Sequence, residues 1–83
     1  MPTHTVKVLG KNCGTCLWTE RLVREVVAEL GAGVLVEKVT SRSELAQYRL
    51  NLLPAVVVDG VVVHAGGIPT KAEVQRWVQR LQP

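Results

Sequence analysis

Thr5-Val6-Lys7-Val8-Leu9-Gly10-Lys11-Asn12-Cys13-Gly14-Thr15-Cys16 is the stretch that decides the fold. Its first five residues alternate, with Val6 and Val8 on one face, and read as a strand. Gly10-Lys11-Asn12 reads as the loop leading into the cysteines. From Cys13 or Gly14 to Leu30 the pattern is helical. Leu22, Val26 and Leu30 lie on one stripe, Val23 and Val27 widen it, and Glu20, Arg21, Arg24, Glu25 and Glu29 lie opposite. The two thiols therefore fall where a strand ends and a helix begins. Free N–H groups and the positive end of the helix dipole favour negative charge there. A thiol on that first turn ionises more readily, and the thiolate is the nucleophile. Two thiols three positions apart can close on each other, which is the minimum equipment for disulfide exchange.

Downstream, Gly31 and Gly33 end the helix. Val34–Val39 forms a second strand through its β-branched residues. Ser41 and Glu44 have capping-box spacing, and a short helix is predicted from about Ser43 to Leu50. Val56–Val58 and Val61–Val63 flank Asp59-Gly60, a strong hairpin signal with two residues at positive φ. Gly66-Gly67-Ile68-Pro69 breaks the chain. Thr70 and Glu73 form a second capping box, followed by Val74, Trp77, Val78 and Leu81 at helical spacing. This places Trp77 in the core.

The order is β-α-β-α-β-β-α within a single domain, residues 1–83. The first two strands are expected to be parallel through a right-handed crossover. The hairpin then adds an antiparallel pair, giving a mixed four-stranded sheet of the α/β class with helices on both faces. The valine-rich runs lack polar alternation, which predicts strands covered on both sides.

Composition narrows the function. At 83 residues, 47% hydrophobic and 20% charged, the chain has room for one modest core and is no disordered segment. Its ten Lys and Arg outnumber seven Asp and Glu for a net charge of +3, but they are spread out and form no nucleic-acid or membrane patch. No apolar run reaches the roughly 18 residues of a spanning helix. Met1-Pro2-Thr3-His4 has no signal-peptide character, so the expected location is cytoplasmic. Thiols are mostly reduced there, and a CxxC is then catalytic or metal-binding rather than a structural staple.

Three readings of the cysteines stand: a redox pair, half of a metal site, or inert thiols. A metal needs about four ligands, and the chain has two Cys. His4 and His64 read as surface or sheet-edge residues.

A strand, a CxxC at the next helix start and a proline opening a later hairpin strand together resemble the thioredoxin fold, over roughly residues 4–82. The topology is similar to glutaredoxin. The chain most resembles the small prokaryotic thioredoxin-like redox-active disulfide proteins. It shares their G-x-x-C-x-x-C at Gly10–Cys16, L-P-A-V-V-V-D-G at Leu53–Gly60 and G-G-I-P-T-K-A-E-V at Gly66–Val74.

The resemblance implies a thiol-disulfide oxidoreductase that reduces protein disulfides. Cys13 would attack and Cys16, one turn in and more buried, would resolve. It implies a cis bond before Pro54 and a Leu53 backbone that receives an incoming substrate strand. Gly66 and Gly67 would let a partner backbone approach, or form a plain turn. Trp18 would belong to an apolar docking surface or to the helix core. Lys11 and Lys38 would favour the thiolate, or simply be solvated.

No metal and no cofactor beyond the Cys13–Cys16 disulfide are implied. The expected partners are disulfide-containing proteins and an external reductant, either a thioredoxin reductase-like flavoenzyme or glutathione. Nucleic acid and membrane are not expected.

Some residues depart from the thioredoxin pattern. Asn12 stands where thioredoxins carry Trp, Gly-Thr lies between the cysteines, and Lys7 lies near where they bury a proton-relaying carboxylate. Two alternatives stay open. The Gly10–Cys16 loop is also similar to the G-M-x-C-x-x-C loop of heavy-metal-associated domains, which hold soft metals such as copper. Those domains end on a strand, carry Met at the position of Lys11 and have no counterpart of the Pro54 hairpin. The other alternative is a redox-inactive adaptor of the same fold.

Overall fold

Valine builds the larger half of the interior. Val6, Val8, Val23, Val26, Val56, Val74 and Val78 form one buried cluster, and each contributes about 1.5–3 kcal/mol by leaving water. The structure is a computed structural model that describes residues 4–11, 14–30, 33–49 and 52–81. Its elements are β1 (His4–Leu9), α1 (Gly14–Leu30), β2 (Val34–Val39), α2 (Arg42–Gln47), β3 (Ala55–Val58), β4 (Val61–Ala65) and α3 (Lys71–Gln79).

The strands form one sheet in the order β2-β1-β3-β4. β1 runs parallel to β2, with Val6 beside Val36 and Val8 beside Lys38. It runs antiparallel to β3, with Val8 beside Val56. β3 and β4 form the hairpin. Its tip is Asp59-Gly60 with φ of 48° and 84°, the double positive φ that a two-residue turn demands. This is the mixed four-stranded sheet that the element order and the hairpin predict.

Side chains alternate across each strand, so β1 serves two cores. Val6 and Val8 meet α1 and α3 in the valine cluster, with Trp77 and Leu81 packed against its margin. Leu9 turns the other way and joins Val39, Ala55 and Val57 under Leu45 and Tyr48 of the α2 region. Helices therefore lie on both faces, two on one and a short one on the other.

Two local expectations change. Full coverage of the strands holds for β3, where Ala55, Val56 and Val57 are fully buried, but not for β4, where Val61 is 63% exposed. β3 is central and β4 is an edge, and a valine run does not tell these apart. The Ser41–Glu44 capping box does not form. Ser41 is the N-cap of α2, but its side chain caps nothing and its hydroxyl lies 2.9 Å from that of Ser43. The helix is also shorter than predicted, ending at Gln47; the predicted end, Leu50, lies outside the described residues. At α3 the capping box is complete. Glu73 N donates to Thr70 Oγ1 at 3.2 Å and Thr70 N donates to the Glu73 carboxylate at 3.1 Å. That carboxylate is held below its ordinary pKa, first by the Thr70 backbone and then by its hydroxyl.

Candidate active site

Cys16 lies in the first turns of α1 and is 1% exposed. Gly10, just past the end of β1, lies against it. A Cβ built on Gly10 would overlap Cys16 Sγ, and it would also meet Pro54 Cα at 3.8 Å. Gly10 is held in place by donating its N–H to Val39 O at 3.0 Å. Glycine stands here because two segments approach more closely than any side chain permits. The sequence reading treats Gly10 as loop; its signal was a glycine directly between a strand and a CxxC. Cys13 precedes α1 in the chain and lies outside the described residues, as does Asn12.

The Leu53–Pro54 peptide bond is cis. Pro54 is fully buried, and its carbonyl accepts a hydrogen bond from Gly66 N at 2.8 Å. Gly66 and Gly67 have φ of 86° and 72°, where L side chains are strained. Leu52 leans over Gly66, its Cβ and Cδ1 at 3.2 and 3.3 Å from where a Cβ would stand. The structure thus brings Cys16, Gly10, Pro54, Gly66 and Leu52 into one contiguous neighbourhood, and Leu53 lies half-buried within it.

Large apolar side chains next to these residues in the chain face solvent. Leu17 is 48% exposed, Trp18 54%, Leu52 61% and Ile68 42%. Trp18 therefore belongs to the surface and not to the helix core. The guanidinium of Arg21 lies over its ring, 5.6 Å from the centroid. Leu17, Leu52 and Ile68 were not singled out in the sequence, because a lone apolar residue outside a periodic stripe carries no address.

The charged candidates separate. Lys38 points from β2 toward α1, its Nζ 3.9 Å from Glu20 Oε1. Glu20 also receives Arg24 Nη2 at 2.9 Å and Nε at 3.1 Å, and it stands one helical turn after Cys16. Lys11 is exposed in the loop. Lys7 is half-buried and alternates with Val6 and Val8, so it belongs to the face away from α1, in register with Glu37 and Val57. Position 7 therefore offers no carboxylate for a proton relay to Cys16.

The histidines have other engagements. His4 Nδ1 lies 2.7 Å from Asp59 Oδ2, and His64 Nε2 lies 3.0 Å from Gly67 O. Among the described residues, no three of His, Cys, Asp and Glu gather as a metal site, and no helix is long and apolar enough to cross a membrane.

Comparison with known proteins agrees with this fold. The profile of a family described as a thioredoxin domain matches residues 4–79. A thioredoxin of Methanothermobacter thermautotrophicus is 30% identical over 71 residues, covering 86% of this chain and 92% of the relative. A thioredoxin of Methanocaldococcus jannaschii is 33% identical over 70 residues, covering 84% and 80%. Among solved structures, chloroplastic thioredoxin z superposes with a TM-score of 0.77 at 20% identity, covering 96% of this chain and 79% of its own. A mutant thioredoxin from Halobacterium salinarum gives 0.75 at 16%, covering 96% and 75%. At such identities the structural likeness is one of fold.

Proposed function

The chain belongs to the thioredoxin domain family, and from that premise we propose that it is a dithiol–disulfide oxidoreductase that reduces disulfides of other proteins. The coarser statement, an oxidoreductase of thioredoxin type, rests on the curated relatives. The observation that carries the finer one is the glycine at position 10, against which Cys16 Sγ lies and which Pro54 Cα also approaches. In this reading the glycine keeps the resolving sulfur close to the segment that would receive substrate.

In this reading the Cys13 thiolate attacks one sulfur of a substrate disulfide. The substrate S–S bond breaks, a Cys13–substrate bond forms, and one substrate thiolate leaves and takes a proton. Cys16 then loses its proton and attacks Cys13. The Cys13–Cys16 disulfide forms and the second substrate thiol is released. Two electrons have passed from the chain to the substrate. A thioredoxin reductase-like flavoenzyme or glutathione returns them, since the chain carries no nucleotide-binding motif of its own. The working compartment would be the cytoplasm, where such a donor maintains the dithiol.

Substrate would pair its backbone with Leu53 and cover the apolar side chains of Trp18, Leu17 and Ile68. Gly66 and Gly67 offer no side chain to obstruct it. Lys38 and Lys11 supply positive charge that favours the thiolate, with Lys38 acting from the sheet and Lys11 from the loop.

The test is insulin reduction with the chemically reduced protein. Cys13→Ser is expected to abolish turnover. Cys16→Ser is expected to accumulate a mixed disulfide seen as a mass increase by mass spectrometry. Equal residual turnover in both variants would overturn the assignment of roles.

A further inference from the structure

Val56 pairs with His64 while Val57 pairs with Val62, so Val63 is an extra residue in β4. Such a bulge bends the strand and re-aims side chains. Here two consecutive residues turn toward α3. Val63 shares a cleft with Trp77 and Leu81, and the His64 ring lies 5.9 Å from the Trp77 ring at 45°. Strict alternation would send one of the pair away.

So placed, His64 reaches forward to the turn beyond its own strand. Gly67 O can only accept, so the Nε2 atom 3.0 Å away carries the hydrogen. The Trp77 ring of α3 lies against His64, and the Glu73 carboxylate of the same helix is within its electrostatic reach. Glu73 is itself engaged by Thr70 N and Oγ1. The backbone that His64 holds is the pair Gly66-Gly67, which has the widest conformational choice of any residues when unheld. The other anchor of the turn is the Gly66 N–H on Pro54 O. The turn is thus fastened on one side to the proline segment and on the other to an imidazole backed by α3.

We propose that His64 is a positioning residue for protein substrates: its Nε2–H on Gly67 O fixes the Gly66–Gly67 turn beside Pro54, where an extended substrate segment docks. This rests on the oxidoreductase reading. Only a substrate that lays its backbone along the site needs the turn fixed. A small disulfide reaches the reactive sulfur without it.

The experiment compares wild type, His64→Leu and His64→Gln. Leucine keeps an apolar side chain against Trp77 and removes the donor, while glutamine restores an N–H at similar reach. KM and kcat are measured with insulin and with DTNB, and amide hydrogen exchange is followed at Gly67 and Ile68. His64→Leu is expected to raise KM for insulin about three- to tenfold, the worth of one hydrogen bond. Its DTNB rate should be unchanged, and its turn amides should exchange faster. His64→Gln should return both readouts toward wild type. An unchanged insulin KM, a parallel loss with DTNB, or unchanged exchange in His64→Leu would overturn the proposal. Failure of wild type to reduce either substrate would instead remove the oxidoreductase reading, with the exchange data still deciding whether His64 holds the turn.

Discussion

Gly10 and Cys16 touch with no room for a side chain between them. Replacing Gly10 with alanine forces the buried sulfur to move, and the new methyl would also stand 3.8 Å from Pro54 Cα. We expect Gly10→Ala to cost about 1–3 kcal/mol, the usual toll of overpacking, measured by urea denaturation. In the proposed reaction the displaced atom is the resolving thiol, so release of the mixed disulfide should also slow in stopped-flow traces. A variant with wild-type stability and release rate would show that the contact is slack.

Trp18 is mostly exposed, and its partner Arg21 is a surface cation–π contact. Trp18→Ala should therefore lower stability by less than about 1 kcal/mol. Its KM for insulin should rise several-fold while its rate with DTNB stays unchanged. A large stability loss with unchanged KM would return this residue to a packing role.

Lys38 shares Glu20 with Arg24. In the proposed tuning role its charge acts on the dithiol only to the extent that Glu20 leaves it uncompensated. Lys38→Met should raise the pKa of the reactive thiol by less than about one unit, read from thiolate absorbance against pH. Lys11→Gln should do less, because solvent and salt screen the loop lysine. No movement in Lys38→Met would remove Lys38 from the tuning residues.

Asp59 at the hairpin tip accepts Thr5 N at 2.8 Å and contacts His4 at 2.7 Å. Its pKa is lowered from 3.8, first by the Thr5 backbone bond and then by the His4 side chain. A carboxylate depressed in the folded state stabilises fully above its unfolded pKa and loses that contribution as pH falls through the folded value. The loss therefore lies below about pH 4. Asparagine tolerates the positive φ, so Asp59→Asn should fold and show a flatter urea midpoint between pH 2 and 4. Parallel profiles for the two proteins would exclude this site from acid unfolding.

The elements with strong local signals were legible in the sequence. Asp59-Gly60 announced its turn, Thr70 and Glu73 announced a capped helix, and the Leu22-Val26-Leu30 stripe with Val23 and Val27 announced the inward side of α1, although the buried centre of that side is Thr19, Val23 and Val26. Ser41 and Glu44 have the same spacing as Thr70 and Glu73 without the bond, because a six-residue helix gives the cap little to stabilise. What pattern reading missed depends on distance across the fold. Gly10 opposite Cys16 is a close approach across a strand-to-helix turn, Leu52 over Gly66 joins segments far apart in sequence, and His64 under Gly67 is redirected by a bulge. No periodicity encodes them. Lys7 shows the converse: the family resemblance put it near the position of a proton-relaying carboxylate, while alternation along β1 put it on the face away from α1.

The extra residue at Val63 has a second effect on β4. This strand forms the outer border of the sheet, and Val61, Val62 and Val63 are 63%, 38% and 37% exposed. A regular run of valines there would offer evenly spaced unsatisfied N–H and C=O groups, a template onto which another copy pairs to seed a fibril. The bulge breaks that spacing after two residues. A mutation that deletes Val63 would straighten the border and convert it into a template for growth between molecules.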